Sequence, residues 1–192
     1  SPMHELDLTD NVSLSSLSFK GEYIKQLDLS HNKNIKSVDI NVDELTEVIF
    51  PSGGQIKDIK IIGPSLSELS VAELPDLESL SVKAPLDALD VTQNSKLKTL
   101  LLKGDFYASL DLKPLTKLEH LALASIDQAN PLPDISGLSA LTTLDLSGSE
   151  VAMLDLSAFK ALSFVVLPSG LERLNVSNTQ IKAIGYNEIA LV

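Results

Sequence analysis

The apolar positions of this chain fall into one short pattern, L-x-x-L-x-L, repeated from end to end. In "LDALDVTQNSKLKTLLLKGD" (residues 86–105) it occurs twice, as Leu86, Leu89 and Val91 and then as Leu97, Leu100 and Leu102. One series of hexamers begins at Met3, Ile24, Leu45, Leu66, Leu86, Tyr107, Val151 and Leu171. A second begins at Leu14, Ile35, Ile56, Leu77, Leu97, Leu118, Leu141, Leu162 and Ile181, with steps of 21, 21, 21, 20, 21, 23, 21 and 19 residues. The first series skips one beat. Its missing member falls in "NPLPDISGLSA" (130–140), where Leu132, Ile135 and Leu138 keep apolar spacing without the hexamer. A fixed period held across a whole chain is the signature of a repeat architecture.

The spacing dictates the element. The last two apolar positions of each hexamer are two residues apart, so they share one side of an extended strand and the residue between them faces solvent. Neither half of a repeat can bury its apolar side alone, but stacked copies share one core. A period of 21 residues leaves no length for a long α-helix on the return side. The pattern predicts a flattened coil of about nine turns with two walls and little α-helix. Parallel strands form one wall, and short extended or 3-10 segments form the other.

These repeats, including "LTTLDLSGSEVAMLDLSAFKA" (141–161) and "IKQLDLSHNKNIKSVDI" (24–40), resemble the leucine-rich-repeat family over residues 3 to about 186. They look like the short nested repeats of Bacteroidetes surface proteins and are similar to those of internalin-like bacterial adhesins. The resemblance implies an α/β-type but mostly β, right-handed solenoid with a parallel β-sheet on its concave face. It also implies protein binding as the use of that face, and an extracellular or cell-surface bacterial location. Many such repeats carry Asn three residues after the last apolar position, bonded to backbone in the turn. Asn11, Asn32 and Asn94 match that place in the first series. The second series has Glu22, Asp43, Pro64, Pro85, Asp105, Ile126, Ser149 and Gly170 there. The second series is nonetheless expected to form the concave sheet. Small residues (Gly21, Gly63, Ala84, Gly104, Gly148) often stand two past its hexamers, as a tight strand exit needs, and its Leu118 and Leu141 turns go with the longest return segment, "ASIDQANPLPDISGLSA".

Composition narrows the class. The chain has 192 residues, 44% hydrophobic and 21% charged, which suits one globular domain spanning residues 1–192. Aromatic residues are only 4% and Trp is absent, so the core is aliphatic and layered. A net charge of −11 speaks against nucleic acid or an anionic membrane as the main partner. No apolar run approaches the roughly 18 residues of a membrane span, so no membrane insertion is expected. There is no Cys, hence no disulfide, thiolate nucleophile or Cys-ligated metal. The first hexamer opens at Met3 with no polar cap before it, and the chain finishes "GYNEIALV". A solenoid end without a polar cap exposes core. The expectation is therefore a fragment of a longer protein, or ends that pair with other domains or self-associate end to end.

The solvent-facing positions carry the candidate chemistry. In the first series they are Asp7, Asp28, Ile49, Ser70, Asp90, Asp111, Asp155 and Asn175. A column of carboxylates either bridges Ca²⁺ or accepts hydrogen bonds from Ser, Thr or backbone N–H in the next turn. The second reading is favoured, because Ser or Thr often stands two residues on, and no metal or cofactor is expected. In the second series the outward columns collect Lys20, Lys60, Lys83 and Lys103, then Leu101, His120, Phe164 and Val166 towards the C-terminal half. A mixed basic and apolar stripe on a rigid sheet is a candidate protein-binding face. Catalysis finds no constellation: His4, His31 and His120 fall in different turns, and none has a Ser or Asp partner at a recognisable catalytic spacing. "PSGGQ" (51–55) and "PSG" (168–170) read as turns rather than phosphate loops, since neither opens a helix. The expected function is a non-enzymatic protein-interaction module with a protein ligand. The alternatives are a structural spacer between other domains and, less favoured with three Tyr, five Phe and no Trp, carbohydrate binding.

Overall fold

The computed structural model describes residues 3–21 and 23–185. In chain order the strands are β1 (Ser16–Gly21), β2 (Gln26–Asp28), β3 (Ser37–Val42), β4 (Glu47–Ile49), β5 (Asp58–Ile62), β6 (Ser79–Lys83) and β7 (Thr99–Lys103). Next come β8 (His120–Ala124), β9 (Thr143–Asp145), β10 (Met153–Asp155), β11 (Phe164–Val166), β12 (Arg173–Asn175) and β13 (Ala183–Gly185). The one helical element among the described residues is a 3-10 turn at Tyr107–Ser109. No helix among them is long and apolar enough to cross a membrane.

The second series of hexamers builds a single nine-stranded sheet in the order β1-β3-β5-β6-β7-β8-β9-β11-β13, every pairing parallel. Nine strands enclose eight complete turns of a mostly-β parallel solenoid. Register follows the repeat: Val38 pairs with Ile59, Ile59 with Leu80, Leu80 with Leu100, and Leu100 with Leu121. Equivalent apolar positions therefore stack into layers, and the buried residues form one continuous aliphatic core from Ile24 to Leu167. Burying each Leu or Ile contributes about 1.5–3 kcal/mol, which is why so regular a pattern needs no helix to hold it.

The first series builds a weaker wall. Among the described residues, only β2 with β4 and β10 with β12 pair there, as two separate two-stranded ribbons. The strands stop for a local reason. Thr9 donates its amide and hydroxyl to Asp7 Oδ1 at 3.0 and 2.6 Å, and Thr92 does the same to Asp90 at 2.9 and 2.6 Å. Ser157 repeats the arrangement on Asp155, and Ser177 on Asn175. Asp28 and Asp111 accept the amides of Ser30 and Lys113. Each carboxylate captures the N–H two residues on, so that N–H is lost to the ladder and the chain turns. The expectation that these carboxylates are satisfied from the next turn is thus corrected: the partner is local, because a side-chain oxygen and the N–H two residues on meet within the chain's own turn, without a tertiary partner. Among the described residues, only Asp155 also receives a side chain from the next turn, Asn175 Nδ2 at 3.2 Å.

Buried amides tie the turns together. Asn32 Nδ2 donates to the carbonyls of Leu8 and Asn11, and Asn94 Nδ2 to those of Val71 and Leu74, all at 2.9–3.0 Å. Asn11 departs from the expectation: its side chain is exposed, and it takes part through its backbone carbonyl. Ser149 takes the Asn place in the second series, bonding the carbonyl of Leu123 and the amide of Ile126. Where the first series skips a beat, Asn130 bridges the gap. It donates to the carbonyls of Gly104 and Ser125 and accepts the amide of Tyr107. The Tyr107 hydroxyl lies 2.7 Å from the carbonyls of both Leu102 and Ala124, and its burial pushes its ionisation well above the ordinary tyrosine range. Glu22 and residues 186–192, which include most of "GYNEIALV", lie outside the described residues.

Candidate protein-binding face

Each strand of the long sheet turns alternate residues outward, as the burial of β3 and β6 shows. Three outward columns result. In one, Lys20 pairs with Asn41, Asn41 with Ile62, Ile62 with Lys83, Lys83 with Lys103, and Lys103 with Ala124. In the next, Lys60 lies between Asp39 and Ser81, and Leu101 between Ser81 and Ala122. The third carries His120 between Thr99 and Thr143, with Phe164 beyond Thr143.

Strands lie about 4.8 Å apart. Lys60, Lys83, Lys103, Leu101 and His120 therefore form one contiguous patch on β5 to β8. Lys20 is three strands away from Lys83, and Phe164 three strands from Leu101, each roughly 14 Å off by the same spacing. Val166 does not belong to a free surface. Although it points outward by register, it is only 1% exposed, beside buried Asp145. The outward column loses exposure along the sheet, from exposed Ser18 and Asp39 through half-buried Leu101 to buried Ala122, Asp145 and Val166.

Electrostatics separate this face from its surroundings. The ion pairs among the described residues join Lys57 and Lys98 to Glu78 at 3.2 and 2.9 Å, and Lys96 to Asp76 at 2.5 Å. The two lysines hold the Glu78 carboxyl below the usual range, Lys98 foremost, and Glu78 in turn raises Lys98. None of Lys20, Lys60, Lys83 and Lys103 has such a partner among the described residues. Lys83 and Lys103 line an open groove of about 490 Å³ with Ile62, Pro64, Pro85 and Asp105.

The histidines are scattered. His4 packs against Tyr23 with ring centroids 5.1 Å apart, and His120 stands exposed on β8. His31 Nδ1 lies 3.1 Å from Ser30 Oγ, a contact between sequence neighbours. Asp28 there accepts the Ser30 amide rather than orienting the imidazole, so the three do not form a relay. Among the described residues no three carboxylates or histidines converge to hold a metal ion.

No protein-family model matches the chain, and no curated protein does. Solved structures do. The functional domain of InlJ from Listeria monocytogenes, which includes a cysteine ladder, superimposes with a TM-score of 0.61 at 20% identity over 93% of this chain. Internalin C2 from Listeria monocytogenes superimposes with a TM-score of 0.56 at 15% identity over 92% of it. The chain spans 47% of the first structure's length and 82% of the second's. This is a leucine-rich-repeat fold. The InlJ domain includes a ladder of cysteines; this leucine-rich-repeat chain has no Cys, and its turns are linked instead by hydrogen bonds such as those of the buried Asn32 and Asn94 amides.

Two features of this leucine-rich-repeat chain escape a reading of the hexamers alone. The groove draws Asp43, Pro64, Pro85 and Asp105 from positions that the hexamers mark only as Asn replacements, and the signal is their shared place three past the hexamer. The missing beat still supplies its carboxylate, since Asp134 accepts the amide and hydroxyl of Ser136. The Asp-x-Ser spacing marks it where the hexamer does not.

Proposed function

We propose that this chain is a non-enzymatic interaction module of an extracellular or cell-surface bacterial protein, binding a protein ligand through the outward face of its nine-stranded sheet. The observation that carries the reading is the contiguous patch of Lys60, Lys83, Lys103, Leu101 and His120 on β5 to β8, whose lysines lack carboxylate partners among the described residues. A rigid sheet presents such a patch at low entropic cost, and unpaired cations beside half-buried aliphatic area suit a protein ligand. The likeness to internalins is one of fold. It supports the reading by the use such solenoid faces have, and it names no ligand.

The test is retention of cell-surface proteins on the immobilised chain. We expect a protein held by the wild type to be lost from a Lys60→Glu/Leu101→Asp variant and kept by an Asp90→Asn/Asp155→Asn variant of the opposite wall. Retention unchanged by either pair of substitutions would remove this face as the binding site, and no protein retained by the wild type would remove the binding role and leave a spacer.

A further inference from the structure

We infer that the groove at the exit edge of the sheet takes an extended peptide segment of a partner protein, with one acidic side chain held between Lys83 and Lys103 and apolar neighbours on Ile62, Pro64 and Pro85. This rests on the protein-binding reading and names the chemistry of its ligand. The shape selects an extended occupant. The lining residues come from the exits of five successive strands: Asp43 after β3, Ile62 and Pro64 at β5, Lys83 and Pro85 at β6, Lys103 and Asp105 at β7, and Ser125 after β8. Four strand spacings make a trough roughly 19 Å long, the length of about six extended residues.

The charges select the occupant's centre. Lys83 and Lys103 are register partners on adjacent strands, so their ammonium groups can meet on one carboxylate. Asp43 stands at the β3 end of the trough and Asp105 two residues beyond Lys103 at the exit of β7, so the two bases share the groove with two acids. The two lysines favour one acid, while the two groove carboxylates and the chain's net charge of −11 repel a polyanion. Pro64 and Pro85 have no backbone N–H to offer, so the wall between the charges is apolar.

The groove is also preformed. A Cβ at Gly104 would collide with the Phe106 ring and with the Ala84 carbonyl oxygen at 2.7 Å, so the exit of β7 is closely packed and takes no side chain there. Ser125 holds φ at 75° at the exit position where Gly148 has 69°, a left-handed conformation that a non-glycine residue keeps only when its surroundings impose it. A rigid trough loses little entropy when a peptide settles in it.

The experiment is selection of a displayed random heptapeptide library on the immobilised chain, then fluorescence polarisation with a labelled synthetic copy of the enriched sequence. We expect enriched peptides to carry one Asp or Glu between apolar residues. Exchanging that acid for its amide, or introducing Lys83→Glu/Lys103→Glu, should weaken binding by about tenfold or more, whereas Lys117→Glu/Lys160→Glu, at exposed lysines outside the face and the groove, should change it less than about twofold. Pro85→Asp, at an exposed position, gives a second variant that spoils the apolar wall, and circular dichroism confirms that each variant is folded. No enriched peptide, enriched peptides without an acid, or equal weakening by both lysine pairs would overturn the proposal. The two readings fail separately. A folded partner lost with Leu101→Asp but kept with Lys83→Glu/Lys103→Glu sinks the groove and leaves the face. Acid-dependent peptide binding with no partner sensitive to Lys60→Glu/Leu101→Asp keeps the groove and removes the wider face.

Discussion

The two walls of this solenoid are written in the same hexamer, yet one is a sheet of nine strands and the other two separate ribbons. The difference lies in the residue between the paired apolar positions and in the residue two places further on. On the broken wall the first is repeatedly Asp or Asn and the second Ser or Thr, and the side chain folds back onto the chain. The sheet contains its own control. β9 stops at Asp145, whose carboxylate accepts the Ser147 amide at 2.8 Å, whereas β3 runs on past Asp39, where Asn41 takes the place of Ser or Thr. Apolar spacing decides which residues are buried. Where the polar pair is present it turns the backbone out of the strand, and β4 and β11, which lack it, end just ahead of Pro51 and Pro168.

The comparison can be broken most forcefully in the core. Leu100→Ala, in a fully buried layer of the sheet, should cost about 2–5 kcal/mol in chemical denaturation, and the half-buried Leu174→Ala of the broken wall distinctly less. Equal losses would show that the two walls share the core evenly. Next come the cross-turn amides. Asn94→Ala removes the cross-turn donor from the carbonyls of Val71 and Leu74, which keep only the amides of Leu74 and Leu77, and should cost about 1–3 kcal/mol, while exposed Asn11→Ala should leave the unfolding midpoint unchanged. Gly148→Val forces a β-branched residue to φ near 69° and should cost about 1–2 kcal/mol, beyond what the same change does at an exit with ordinary φ.

Acid discriminates between the walls more gently. The hydroxyls of Thr9, Thr92, Ser136 and Ser157, and then their amides, hold the carboxyls of Asp7, Asp90, Asp134 and Asp155 below the usual 3.8. A carboxyl lowered in the folded state contributes stability above its unfolded value and loses it as pH falls through the folded one. The thermal midpoint should therefore fall as pH drops below about 4. Replacing Thr92 and Ser157 by Ala should flatten that fall, and an unaltered slope would place the acid sensitivity elsewhere. The smallest expected effect is the most specific. Asn41→Ser completes the Asp-x-Ser spacing at Asp39 and should end β3 early, read as faster amide exchange at residues 41 and 42 with little change in the midpoint.

Much of the fold is legible in the chain itself. The period places every strand of the long sheet, and Leu17, Val38 and Ile59 pair where the spacing puts them. The Asp-x-Ser turns are half legible. Spacing shows a hydroxyl two residues beyond Asp7, Asp90 and Asp155, but a bond to the next turn is the natural expectation only if the second wall is continuous, and it is not. The candidate face is legible as columns and not as surface. Spacing places Val166 and Lys103 alike on the outward side, and only one of them is accessible.

The sequence by itself determined the solenoid, since a repeated apolar spacing can bury its residues only by stacking copies of itself. It determined too where strands stop, because a carboxylate and the N–H two residues on need no tertiary partner to meet. Only the tertiary structure decided which outward residues are reachable, which lysines form no ion pair among the described residues, and that Pro64, Pro85, Lys83 and Lys103 share one groove. Those properties join residues about one repeat apart, and they depend on how closely successive turns approach. That distance is set by packing in the core beneath them, which no local pattern specifies.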